Sequence, residues 1–283
     1  LLDTLLTPLQ FGFMQRGLCA ALMVGILCSV IGTYVVLRGM AFIGDALAHS
    51  ILPGVAVAYL VQINLLMGAL IAGIAMALGI GFLTRHSQIK EDTAIGVLFP
   101  GAFALGILLI STIRSYSVDL THVLFGNVLG VSVFDLAIIA GLSLIVLTTI
   151  FLLYKELLLA SFDPIMAVAL HLPVDRLDYL LLVMLSLTIV VSIQTVGVAL
   201  VVAMLVTPGA TASLLARRLP TMMLLAAAIG AISGVTGLYL SFFLNVASGA
   251  AIVLVATAFF FLAWLFSPRK GLLRRNALLP RNE

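Results

Sequence analysis

The sequence predicts an all-α fold, a polytopic bundle of transmembrane helices. Three observations predict it. Of 283 residues, 63% are hydrophobic and 9% are charged, against about 25% charged in a soluble domain. Apolar runs of about 20 residues, the length a helix needs to cross the hydrocarbon core, recur along the chain. Lys and Arg gather in alternate connections between those runs, as they do in chains that cross a bilayer repeatedly. Little length is left for anything else, so residues 1–283 read as one transmembrane domain.

In order, the spans fall near 17–37, 42–62, 64–83, 94–113, 133–153, 178–193, 195–216, 221–242 and 249–267, nine within a range of about eight to ten. The first holds both cysteines, Cys19 and Cys28. Nine steps of about 100° put them on opposite helix faces, so they are read as buried small apolar residues rather than a metal or disulfide pair. Pro53-Gly54 in the second span and Pro208-Gly209 in the seventh permit kinks or local unwinding. Between the fourth and fifth spans, 117–132 is apolar but too short to cross and reads as an interfacial or re-entrant segment. After the fifth, Asp163-Pro164 starts and Leu172-Pro173 stops a short helix. The 178–216 stretch holds two crossings, because Arg176 and Arg217 must share a side. Their turn falls near Gln194–Gly197, and with both halves short a broken or re-entrant helix stays open. Two Gly-xxx-Gly pairs, Gly126/Gly130 and Gly230/Gly234, match what 24 glycines produce by chance and mark no dimer seam.

Twelve Lys and Arg fall on one side, from Arg38 to the tail at Arg281, and only Arg16 and Arg114 on the other. The positive-inside rule then puts the N-terminus outside and the C-terminus in the cytoplasm. A net charge of +3 is too small and dispersed for nucleic-acid binding.

Asp45 and His49 are the ionisable pair well inside the apolar stretches, four residues apart and therefore on one helix face. Charge at a helix centre in a bilayer costs about 2.5 kcal/mol or more and marks an ion path or relay. Carboxylate oxygen with imidazole nitrogen suits Mn²⁺, Fe²⁺ or Zn²⁺ and suits Cu⁺ poorly. Two ligands make a weak site; two copies across a two-fold axis would supply four. His86, His122 and His171 read as solvated or locally bonded. Tyr34, Gln62, Asn64, Gln194, Asn245 and Ser248 read as pathway lining or, more often for lone polar residues, interhelical glue. No lysine follows a glycine, which excludes a P-loop ATPase, and no His-Glu-x-x-His occurs, which excludes that class of zinc protease. The chain therefore reads as a transport protein and not an enzyme, with a passive channel or ion-coupled carrier still open.

The run from Gly32 to Arg38 followed by GMAFIGDALAHSILPG resembles the permease subunits of bacterial manganese, zinc and iron ABC importers. EDTAIGVLF at 91–99, DLTHVLFGNVLGVS at 119–132, FDPIMAVALHLPV at 162–174, QTVGVALVVAMLVTPGATA at 194–212 and NVASGAAIVL at 245–254 extend the resemblance over nearly the whole chain. It implies a homodimeric permease in the bacterial plasma (inner) membrane, a cytoplasmic ATP-binding subunit that hydrolyses ATP, and an extracytoplasmic metal-binding protein. It implies no permanent cofactor, a transported divalent metal with manganese first, zinc next and iron third, and Asp45 and His49 on the ion path. It also implies that the 162–174 helix docks on the ATPase, with Asp163 and Ala167 matching the family pattern and His171 standing where glycine is usual. The rival is a passive or ion-coupled metal carrier, which would use the same pair without an ATPase.

Overall fold

The computed structural model describes residues 7–87, 89–112 and 128–267. Among them there is no strand, and the α-helices are α1 (Gly12–Arg38), α2 (Ile43–Ser50), α3 (Leu52–Val61), α4 (Leu65–His86), α5 (Glu91–Ser111), α6 (Val133–Leu152), α7 (Tyr154–Phe162), α8 (Pro164–Ala169), α9 (Val174–Val196), α10 (Val198–Leu215), α11 (Leu219–Leu244) and α12 (Ser248–Phe266). Nine spans among the described residues are long and apolar enough to cross a bilayer, α2 and α3 together forming the second. The nine expected spans are all present. Most of the 117–132 segment, with His122, lies outside the described residues, as does the basic tail beyond Ser267.

The 178–216 stretch resolves into two full-length helices, α9 of 23 residues and α10 of 18. Charges at Asp175, Arg176 and Asp178 made the first crossing look short, yet the helix starts right after Pro173 and carries them in its opening turns. The two helices meet at Gly197, whose φ of 84° and ψ of 161° lie in a region open essentially to glycine alone. Of the two prolines, only Pro53 sits at a break, in the first turn of α3, whereas Pro208 lies inside a continuous α10.

Lipid tails provide no hydrophobic drive for helices to associate, so close backbone approach through small residues matters most. α1 runs through the middle, packing on α6, α9, α10 and α11. Gly54 of α3 and Gly68 of α4 meet backbone to backbone: a Cβ on Gly68 would stand 2.3 Å from the Gly54 oxygen. Gly230 and Gly234 do mark a seam, but within the chain, facing Gly25 and Ala21 of α1.

Several polar residues serve helix ends. Asn64 Oδ1 accepts from the Leu66 amide at 2.8 Å, and Gln62 and Asn245 are left-handed residues closing α3 and α11. Cys28 is buried as expected, with Sγ 3.9 Å from the Ser192 hydroxyl, while Cys19 is exposed. At the ends of α1, α4 and α9 an ion cluster forms. Arg38 pairs with Asp178 at 2.7 Å, and Arg85 pairs with both Asp175 and Asp178. Arg38 Nε also donates to Ser161 Oγ of α7 at 3.2 Å, so one guanidinium ties three helices.

Candidate metal path and coupling helix

α2 is a short amphipathic piece in an otherwise apolar chain. Ile43, Gly44, Ala46, Leu47, Ala48 and Ser50 are buried, packed toward α4, α5, α9 and α10. The remaining face carries Asp45 and His49, one turn apart, with side chains 50% and 27% exposed. His49 Nε2 lies 3.5 Å from Asp45 Oδ1, too far for a strong hydrogen bond. Two ligand atoms each about 2.1 Å from one ion at a tetrahedral angle stand about 3.4 Å apart, so this spacing suits shared contact with a first-row divalent ion.

The surroundings come from α5. Phe99 and Phe103 flank the His49 ring, with centroids 6.1 and 5.6 Å away, the second edge-on. These rings limit the positions the imidazole can adopt. Beside Asp45 is a cleft of about 260 Å³, lined by Phe42, Ala46, Asp92, Ile95, Gly96 and Phe99 as well. Asp92 lies just ahead of the fourth span expected near 94–113. Because α5 starts at Glu91, three residues before the expected span, Asp92 rides on its first turn and faces the cleft with Asp45. The signal was its place just after Lys90 at the head of an apolar run, where acidic residues favour a helix N-terminus.

Among the described residues no group of three or more His, Cys, Asp and Glu is placed to hold an ion. His86 stacks on Phe82 with its Nδ1 3.0 Å from the Phe82 carbonyl oxygen, a local bond. Tyr34 is fully buried in α1 and Gln194 is exposed at the end of α9.

The short helix expected after the fifth span is α8. Asp163 caps it, Oδ1 accepting from the Met166 amide at 2.9 Å, and Pro164 fills its first turn. Its end is a Schellman motif: the Leu172 amide donates to the Ala167 carbonyl and the His171 amide to that of Val168. That motif places His171 in the left-handed region, φ 58°, which is why glycine suits the position. Ala167 is fully buried and seats the helix, so it does not form an outer contact surface. Ile165, Val168 and Leu170 form that surface, Ile165 at 84% exposure.

Residues 10–267 match the model of the ABC 3 transport family. The manganese transport system membrane protein MntC of Halalkalibacterium halodurans is 53% identical over 267 residues, covering 94% of this chain and 91% of the relative. MntC of Listeria innocua is 51% identical, covering 94% of both chains. A probable iron transport system membrane protein of Haemophilus influenzae is 45% identical, covering 94% of this chain and 97% of its own. The solved PsaBC from Streptococcus pneumoniae in complex with Fab superposes with a TM-score of 0.84 at 40% identity, covering 97% of this chain and 99% of that one. The nine apolar spans among the described residues and these relatives agree: the chain belongs to the ABC 3 transport family, as a membrane-spanning permease.

Proposed function

We propose that this chain is the permease of an ATP-driven manganese importer in the bacterial plasma membrane, working as a single transmembrane domain in a dimer with a second copy. The observation that carries the reading is the Asp45–His49 pair, exposed on one face of α2 and spaced for one divalent ion. Identity of 53% and 51% to two proteins named for manganese transport favours that ion over iron and zinc. Donor chemistry alone would rank zinc higher.

One chain offers Asp45 and His49, with Asp92 lining the same cleft but not grouped with them as a third ligand, fewer ligands than a first-row ion takes. A second copy facing this surface completes the shell, and α5, whose membrane face is largely unburied, leaves room for it. An extracytoplasmic metal-binding protein delivers the ion. Weak, shared ligation lets it leave again, as passage requires. The basic connections, with Arg38, Arg85, Lys155 and Arg217, lie on the cytoplasmic side, and the N-terminus lies outside.

On that inner side, α8 docks on the ATP-binding subunit through Ile165, Val168 and Leu170. Asp163 and His171 shape its two ends and Ala167 anchors it. Ile165→Asp together with Val168→Asp leaves the permease folded, since both side chains are outside, and strips the ATPase from the complex on co-purification. Undiminished co-purification would remove the docking role.

The importer reading is tested by reconstituting permease, ATPase and binding protein, then comparing ATP hydrolysis with Mn²⁺, Zn²⁺ and Fe²⁺. Stimulation strongest with Mn²⁺ is expected. Metal flux without any ATPase would favour the passive carrier instead.

A further inference from the structure

Helices α6 and α11 both pack on α1, and between them a groove of about 720 Å³ stays open. Its wall within the spans is apolar: Val30, Leu147, Ile150, Phe151, Met223 and Leu224. Val30 is eight residues from the end of α1 at Arg38, so the groove reaches about 12 Å into the bundle. Through Tyr154, Lys155 and Pro220 it continues into a second recess of about 650 Å³, where Arg217 and Arg218 line the wall.

We propose that this groove binds an anionic phospholipid with a hydroxyl-bearing headgroup: one acyl chain along Leu147, Phe151 and Met223, and the phosphate against Lys155, Arg217 and Arg218. The argument is charge and polarity together. None of the three cations makes an ion pair among the described residues, and all three are exposed where spans end. Arg217 and Arg218 sit between α10 and α11, and α11 starts with no side-chain cap on its first amides, so the positive helix end adds to the attraction for phosphate. Basic pockets between membrane helices hold acidic headgroups in this way.

Glu156 sets the headgroup. It lines the same groove, and its Oε2 is buried without a hydrogen-bond partner. A carboxylate beside a phosphate site repels a bare phosphate monoester and calls for a donor. A glycerol hydroxyl supplies one.

The test uses the purified permease–ATPase complex, with dioleoylphosphatidylglycerol or dioleoylphosphatidylcholine titrated in detergent, read by retained lipid in native mass spectrometry and by Tm. Phosphatidylglycerol is retained and raises Tm; phosphatidylcholine does neither. Combining Lys155→Gln, Arg217→Gln and Arg218→Gln weakens retention at least about tenfold. Met223→Trp, which fills the shaft and keeps every charge, also releases the lipid. Equal retention of the two lipids, undiminished binding by the triple variant, or no lipid retained because the ATPase covers the groove would each overturn the proposal.

Discussion

At the scale of single residues, His171 shows how a local rule carries meaning. A histidine held at φ 58° pays the left-handed penalty of an L-residue, about 1–2 kcal/mol. His171→Gly should therefore raise stability by about 1 kcal/mol, read as a higher Tm, without weakening ATPase association. A lower Tm would mean that the imidazole makes a contact worth more than the strain. Asp45 and His49 were legible in the sequence because charge is scarce in apolar runs. Asp92 was not, because it follows a charged loop and lies in the three residues by which α5 starts ahead of its apolar run. Ala167 was legible as part of a motif but not as a buried residue. Burial depends on what α8 packs against, and Asp163-Pro164 specifies only where that helix starts.

At the scale of elements, all nine spans could be read because 20 apolar residues leave few alternatives in a bilayer. Their ends could not: α4 runs on to His86 and α9 starts at Val174, since polar residues in a terminal turn can be helical and look like loop. Nor could the ion cluster, because Arg38, Arg85 and Asp178 come from three distant helices and in sequence report only sidedness. Arg38 and Asp178 side chains are 9% and 16% exposed, so the pair is largely withdrawn from water. Removing the acid leaves the buried Arg38 guanidinium without its ion-pair partner, while Arg85 keeps Asp175, and breaking such a buried pair costs about 3 kcal/mol or more. Asp178→Ala should lower Tm markedly and Asp175→Ala, at a 70% exposed site, much less. Equal effects would show that the cluster is held together by something other than the Arg38–Asp178 pair. The same guanidinium reaches Ser161, two residues before the Asp163 cap, and ends the helix that leads into α2.

For the whole molecule, the fold makes an incomplete site meaningful. A bundle centred on α1 buries most of α2 yet leaves Asp45 and His49 open on one face, beside the sparsely buried α5. A single chain so arranged neither traps an ion nor seals it from its surroundings. In the importer proposed above, two copies and an ATPase would give that face its purpose. The most direct measurement is ATP-driven Mn²⁺ uptake by proteoliposomes holding the permease and its ATPase, fed by the binding protein, comparing wild type with Asp45→Ala and His49→Ala. We expect uptake to fall to background in both variants while the purified complexes keep their ATPase and their Tm; uptake at the wild-type rate in both would contradict the assignment of this pair to the ion path.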